Sequence, residues 1–159
     1  MAYVDRPQPA TGLEGKFSFQ YTMAAALLDG RVGIDTFTDA RRFRADMAAL
    51  LGKIEFVQDS SIPGNWTQLY VVLEVQLRDG RRFETRCDGP PGAWGRAPLP
   101  PERHEEKLRD CLAGVLDSRK AARLLKLLGS LEKQTPRGVA EIAGILGGTG
   151  ARRGGRQGK

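Results

Sequence analysis

The sequence has little of what most catalytic centres are built from. It holds one histidine and two cysteines. His104 stands among Glu102, Glu105 and Glu106 in the first turn of an expected surface helix, with no second ligand or nucleophile at useful spacing. That argues against a zinc site and against a Ser-His triad, so no metal and no cofactor is expected. Cys87 and Cys111 form no CxxC pair, and no secretory leader is visible, which fits reduced thiols in a cytoplasmic protein. The longest apolar run, Met23 to Leu28, is too short to cross a bilayer, and no membrane partner is expected. The glycines make neither a GxGxxG nor a P-loop pattern.

What is present suits one globular domain: 159 residues, 40% hydrophobic and 28% charged. The net charge of +6 suggests a polyanionic partner until its distribution is examined. Arg152, Arg153, Arg156 and Lys159 all lie in GGTGARRGGRQGK, which has no acid; without these four the chain has 21 basic against 19 acidic residues. The tail, 147–159, is expected to be disordered, and it has no aromatic residue for base stacking, so nucleic acid is not the expected partner. A free-standing, non-enzymatic interaction module that uses this basic tail is the alternative function.

The strongest element is TGLEGKFSFQYTMAAALLDG, Thr11 to Gly30. Thr11 with Glu14 spells a capping box, Gly30 supplies a left-handed end, and Leu13, Phe17, Tyr21, Ala24 and Leu28 follow at helical spacing. One long helix is therefore predicted, after an extended leader, 1–10, stiffened by Pro7 and Pro9. Lys16 and Gln20 lie one turn apart near its start, where free N–H groups and a cation could receive a carboxylate; as plain surface residues they would simply be solvated.

Further on, Thr36 or Thr38 can cap a connection, and Ala45 to Leu51 reads as a short helix stopped by Gly52. Ile54, Phe56 and Val57 start a strand. Thr67 to Arg78 is the strongest strand, with Leu69, Val71, Leu73, Val75 and Leu77 on one buried face. Asp79-Gly80 turns the chain. A three-residue loop with Gly80 at a bulge sets Val75 opposite Phe83 and Leu73 opposite Thr85, which matches apolar residues better than a two-residue loop. DGPPGAWGRAPLPP, 88–101, is too rich in Gly and Pro for regular structure and is expected as a lid or interface loop with Trp94 and Arg96 as its contact residues, the alternative being that Trp94 merely pins the loop to the domain. Leu108, Cys111, Leu112 and Val115 form a helical stripe. Ser118 caps a helix carrying Ala121, Leu124, Leu125, Leu128 and Leu131, and Thr135-Pro136 starts one carrying Val139, Ile142, Ala143 and Leu146. The fold class is α+β: a long N-terminal helix, a small antiparallel sheet with a hairpin, and C-terminal helices, with the domain spanning 11–146.

The long ungapped run YVDRPQPATGLEGKFSFQYTMAAALLDGRVG, from Tyr3 to Gly33, resembles the C-terminal part of the MmgE/PrpD family, which includes 2-methylcitrate dehydratase, cis-aconitate decarboxylase and iminodisuccinate epimerase. Lys53 to Asp88 is similar to the family's domain over the active site, and Pro98 to Leu131 to the helices that follow. The resemblance implies metal-independent lyase or epimerase chemistry on a small polycarboxylate, in a setting such as propionate metabolism. It implies that the main acid and base residues come from a helical N-terminal half of the same enzyme, so this chain alone would be inactive, and that the enzyme is a homodimer. It places Tyr3 at an active-site tyrosine of the decarboxylase branch, as the catalytic residue that the resemblance implies. Lys16 falls where that branch and the dehydratases tend to have histidine, which keeps a cation but removes a group titrating near neutrality. Arg6 and Gln20 complete the implied substrate-binding set. Without its helical half, such a domain should expose apolar faces and self-associate.

Overall fold

The computed structural model describes residues 3–65, 67–93 and 95–148, and these fall into two units, Met1–Pro101 and Glu102–Lys159. Among the described residues there are six α-helices and one two-stranded antiparallel sheet, an α+β fold.

In the first unit the capping signal at Thr11 works in part. Thr11 Oγ1 accepts the Glu14 N–H at 3.1 Å, while the Glu14 carboxylate takes the Ala10 N–H at 2.7 Å, one residue before the position a capping box would use. The single long helix predicted from Thr11 to Gly30 does not form. Leu13–Phe17 is a 3-10 helix, Ser18 is extended (φ −122°, ψ 113°), and α1 runs Phe19–Asp29. Two contacts cause the break. Gly15 lies against the Tyr21 ring so closely that a Cβ there would come within 2.4 Å of it. Ser18 leaves the helix to give its hydroxyl to the Arg6 carbonyl at 2.6 Å, and its oxygen then caps α1 by accepting the Tyr21 N–H at 3.0 Å. Gly30, with φ +69°, ends α1 as expected.

The break redistributes the expected apolar stripe. Tyr21 and Ala24 are fully buried, but Leu13, Phe17 and Leu28 are exposed. The core forms instead between α1 and α3 (Ala45–Leu51), from Tyr21, Ala24, Ala25, Met47 and Leu51, with Phe37, Leu50 and Ile54 at its edge. Burying each large side chain there contributes about 1.5–3 kcal/mol. The short α2, Asp39–Arg42, is capped by Thr38, and Gly52 closes α3, both as read from sequence.

The strand expected at Ile54 to Val57 is not formed; the Phe56 ring instead stacks on Phe19 of α1 at 5.2 Å. β1 is Val71–Gln76 and β2 is Arg82–Cys87, with Val75 opposite Phe83 and Leu73 opposite Thr85, the register of the bulged turn. Leu77 N–H closes the loop on Arg81 O at 2.8 Å, and Gly80 holds φ +88°. β1 starts later than Thr67 because Asn65 folds the preceding residues into a turn, its side chain accepting from Thr67 and from the Gln68 N–H. The expected buried face is only half covered: Leu73, Val75 and Leu77 are half-buried, and Val71 and Phe83 are exposed. In the Gly-Pro loop Arg96 donates to Thr67 O at 3.3 Å, which pins the loop; Trp94 lies outside the described residues.

The second unit holds α4 (Pro101–Ala113), α5 (Ser118–Leu128) and α6 (Pro136–Gly147). Asp117, rather than Ser118, caps α5, while Thr135 and Pro136 open α6 as expected. Leu124, Leu127 and Ile142 are buried, with Leu112, Leu116 and Ile145 against them. Leu127 takes the inner place expected of Leu128 and Leu131, because α5 stops at Gly129 and Leu131 belongs to a following 3-10 turn. Arg123 and Glu141 join α5 to α6 by two hydrogen bonds of 2.7 Å. The tail from 149 onward lies outside the described residues.

Candidate functional site

The leader is held to the start of α1 by three consecutive grips. Val4 O accepts the Phe19 N–H at 3.0 Å, Arg6 O accepts the Ser18 hydroxyl at 2.6 Å, and Asp5 Oδ1 accepts from Gln20 Nε2 at 2.6 Å. Farther along, Arg42 is buried and donates to Pro9 O at 2.7 Å and to Gln8 Oε1 at 3.1 Å, while Gly12 N–H meets Asp39 Oδ1 at 2.7 Å. Gly12 packs directly on the Thr38–Asp39 backbone, where a Cβ would lie 2.3 Å from the nearest atom.

This brings two of the sequence-predicted residues together and separates the others. The Tyr3 ring meets Phe17 edge-on at 5.2 Å, and the Arg6 guanidinium lies 5.7 Å from the Tyr3 ring and 6.0 Å from Phe17. Tyr3 is 62% exposed. Arg6 makes no ion pair among the described residues; its Nε turns back to Tyr3 O at 3.2 Å. Lys16 stands elsewhere, exposed, with its ammonium 5.6 Å from the Phe37 ring and no carboxylate partner among the described residues. Gln20 does not project beside Lys16, as one continuous helix would require. The break at Ser18 puts the two in different elements, and Gln20 is 2% exposed.

A second feature is a cleft of about 320 Å³ lined by Asp29, Arg31, Asp35, Thr36, Arg41 and Arg44. Its cations are already matched. Arg31 pairs with Asp35 at 2.6 Å, Arg41 with both Asp29 (2.8 Å) and Asp46 (3.1 Å), and Arg44 with Asp46 at 3.4 Å. The hydrogen bond from Arg41 is the main cause holding the Asp29 carboxyl below its ordinary value. Burial raises the Tyr21 phenol, whose hydroxyl donates to Thr36 O under the cleft. The cleft is thus an ion-pair network with little unspent charge for an anion, whereas Arg6 and Lys16 keep theirs.

Sequence reasoning missed Asp5, Ser18 and Arg42. Ser18 and Gly15 inside a supposed helix are a readable signal, since serine prefers a cap and glycine weakens a helix interior. For Asp5 and Arg42 no local signal exists, because their partners lie 15 and 33 residues away. Among the described residues no group of three or more His, Cys, Asp or Glu is placed to hold a metal, and no helix is long and apolar enough to cross a membrane.

The family model of the MmgE/PrpD C-terminal domain matches residues 1–133. The chain belongs to the MmgE/PrpD family. Among its relatives, cis-aconitate decarboxylase of Homo sapiens is 35% identical over 130 residues, which is 82% of this chain and 27% of that protein. Cis-aconitate decarboxylase of Mus musculus is 32% identical over 130 residues, 82% of this chain and 26% of the relative. This MmgE/PrpD chain therefore spans about a quarter of the length of the curated relatives it matches. Both the leader with its grips and the hairpin fall within the family-matched residues, and α6 falls beyond them.

Proposed function

We propose that the chain forms one wall of a di- or tricarboxylate site in an MmgE/PrpD-type lyase, with decarboxylation of cis-aconitate favoured over dehydration of 2-methylcitrate. The observation that carries this is the match to two cis-aconitate decarboxylases over 130 residues, together with the family-model match over 1–133, which includes Tyr3, Arg6 and Lys16. Decarboxylation breaks a C–C bond, releases CO₂ and leaves an electron pair on carbon that a proton must quench. The remaining carboxylates need cations, and the carbon needs a donor. Arg6 and Lys16, with no acid paired to them among the described residues, suit the first task, and the exposed Tyr3 hydroxyl suits hydrogen-bonding to a carboxylate or relaying the proton. The other acid and base groups come from a helical N-terminal part of the enzyme, and the functional form is a homodimer in the cytoplasm.

The test is a turnover assay on cis-aconitate and 2-methylcitrate. The 159-residue chain alone should release no CO₂ and no water, and joining it to an N-terminal MmgE/PrpD region should restore activity that Tyr3→Phe and Arg6→Ala then reduce. Turnover by the pure chain would sink this reading. One observation favours a second: the match stops at residue 133, while the basic tail lies beyond it. If the chain is instead an interaction module, deleting 147–159 abolishes binding to its partner; a truncated chain that binds equally well removes that alternative.

A further inference from the structure

We infer that Gln20 is a positioning residue that acts through Asp5 on the segment carrying Tyr3 and Arg6; this deepens, and rests on, the reading of Tyr3 and Arg6 as substrate-facing groups. As a direct ligand Gln20 is badly placed: it is 2% exposed and its amide nitrogen is committed to Asp5 Oδ1 at 2.6 Å.

The other end of the amide shows what the residue is for. Gln20 Oε1 is buried with no hydrogen-bond partner. Turning the amide over would give that oxygen no better place, because it would then face the Asp5 carboxylate. A methionine or leucine would fill the same space without an orphaned acceptor, so filling space alone does not call for an amide here. What the amide adds is one charge-assisted bond to Asp5, which makes no ion pair among the described residues.

That bond sits between two others. Ser18, Phe19 and Gln20 grip Arg6, Val4 and Asp5 respectively, two through leader carbonyls that any residue supplies and one through a specific side-chain pair. With all three made, Tyr3 and Arg6 are set against Phe17. With the middle one lost, the leader keeps only its main-chain contacts there, and the two groups lose their fixed relation.

The Phe19 amide reports the state of this clasp. It opens α1, so its N–H has no partner within the helix and is protected by Val4 O alone. Amide exchange by NMR on the 159-residue chain therefore tests the inference. Gln20→Met and Asp5→Ala should each speed Phe19 exchange by about tenfold, the scale of one hydrogen bond, and move the Tyr3 ring signals, while Ala24 and Ala25 amides in the core keep their protection. Asp5→Asn retains an acceptor and should restore most of the Phe19 protection. Asp5 is exposed, so its variants test the inference even if Gln20→Met perturbs the core. Unchanged Phe19 exchange in Asp5→Ala, or equal loss at Phe19 and Ala25, would overturn it. The exchange result is independent of whether the chain binds a carboxylate: absent binding with an intact clasp would count against the proposed function and leave Gln20 in its place.

Discussion

The start of the first unit and the helical second unit are held together in different ways. Residues 3–54 add to their apolar core around Tyr21 and Met47 a set of buried polar groups that reach far along the chain: Ser18 to Arg6, Gln20 to Asp5, Arg42 to Pro9. The α5–α6 pair relies on an apolar stripe of Leu124, Leu127 and Ile142, with Arg123–Glu141 on its surface. A stripe fixes two helices against each other but tolerates small slides. Hydrogen bonds of fixed direction set individual residues in place, and they occur here where Tyr3 and Arg6 are presented.

The largest effect that should separate the two regions is in the second unit. Leu124→Ala removes a side chain 1% exposed and should cost about 2–5 kcal/mol, read as lost amide protection along α5 and α6. Next, Gly15→Ala drives a methyl into the Tyr21 ring and should cost about 1–3 kcal/mol in the first unit, seen in exchange at α1 and α3. If the leader clasp is as specific as described, Ser18→Ala follows at about 0.5–2 kcal/mol for the lost cap, and it alone among these three should also release Arg6 without opening α3. Equal exchange profiles for the Gly15 and Ser18 variants would erase the distinction between packing and clasp.

The smallest effect is electrostatic. Asp29 is held below its ordinary value mainly by its hydrogen bond from Arg41, so its folded-state carboxyl titrates lower than the unfolded one, near 3.9. Its contribution is complete above that value and is lost as pH falls through the folded-state titration. The stability gap between the native chain and Asp29→Asn should accordingly be constant from pH 5 to 7 and close on acidification. A gap that widens in acid would mean the Arg41 pair is not what sets it.

The same contrast explains what could be read in advance. The β1–β2 register was legible because alternation and an Asp-Gly turn are local, and Gly30, Gly52 and Thr135-Pro136 marked helix ends for the same reason. The break at Ser18 was legible only in part: Gly15 and Ser18 speak against a helix interior, but the spacing across Leu13, Phe17 and Tyr21 satisfies a helix, and the packing of Gly15 on Tyr21 with the distant Arg6 and Val4 carbonyls decides against it. The strand expected at Ile54 failed because Phe56 found the Phe19 ring rather than a ladder. Of the candidate site, Tyr3 and Arg6 came together, whereas Lys16 and Gln20 were parted by that same break.

The central claim is that this MmgE/PrpD chain presents Arg6, Lys16 and Tyr3 to a polycarboxylate. A titration of the 159-residue chain with cis-aconitate, followed by NMR, tests it most directly. The account predicts saturable shifts at Tyr3, Arg6 and Lys16 that acetate does not reproduce and that Arg6→Ala weakens, with the ion-paired cleft around Arg41 undisturbed. Shifts confined to that cleft, or none at Tyr3, Arg6 and Lys16, would contradict it.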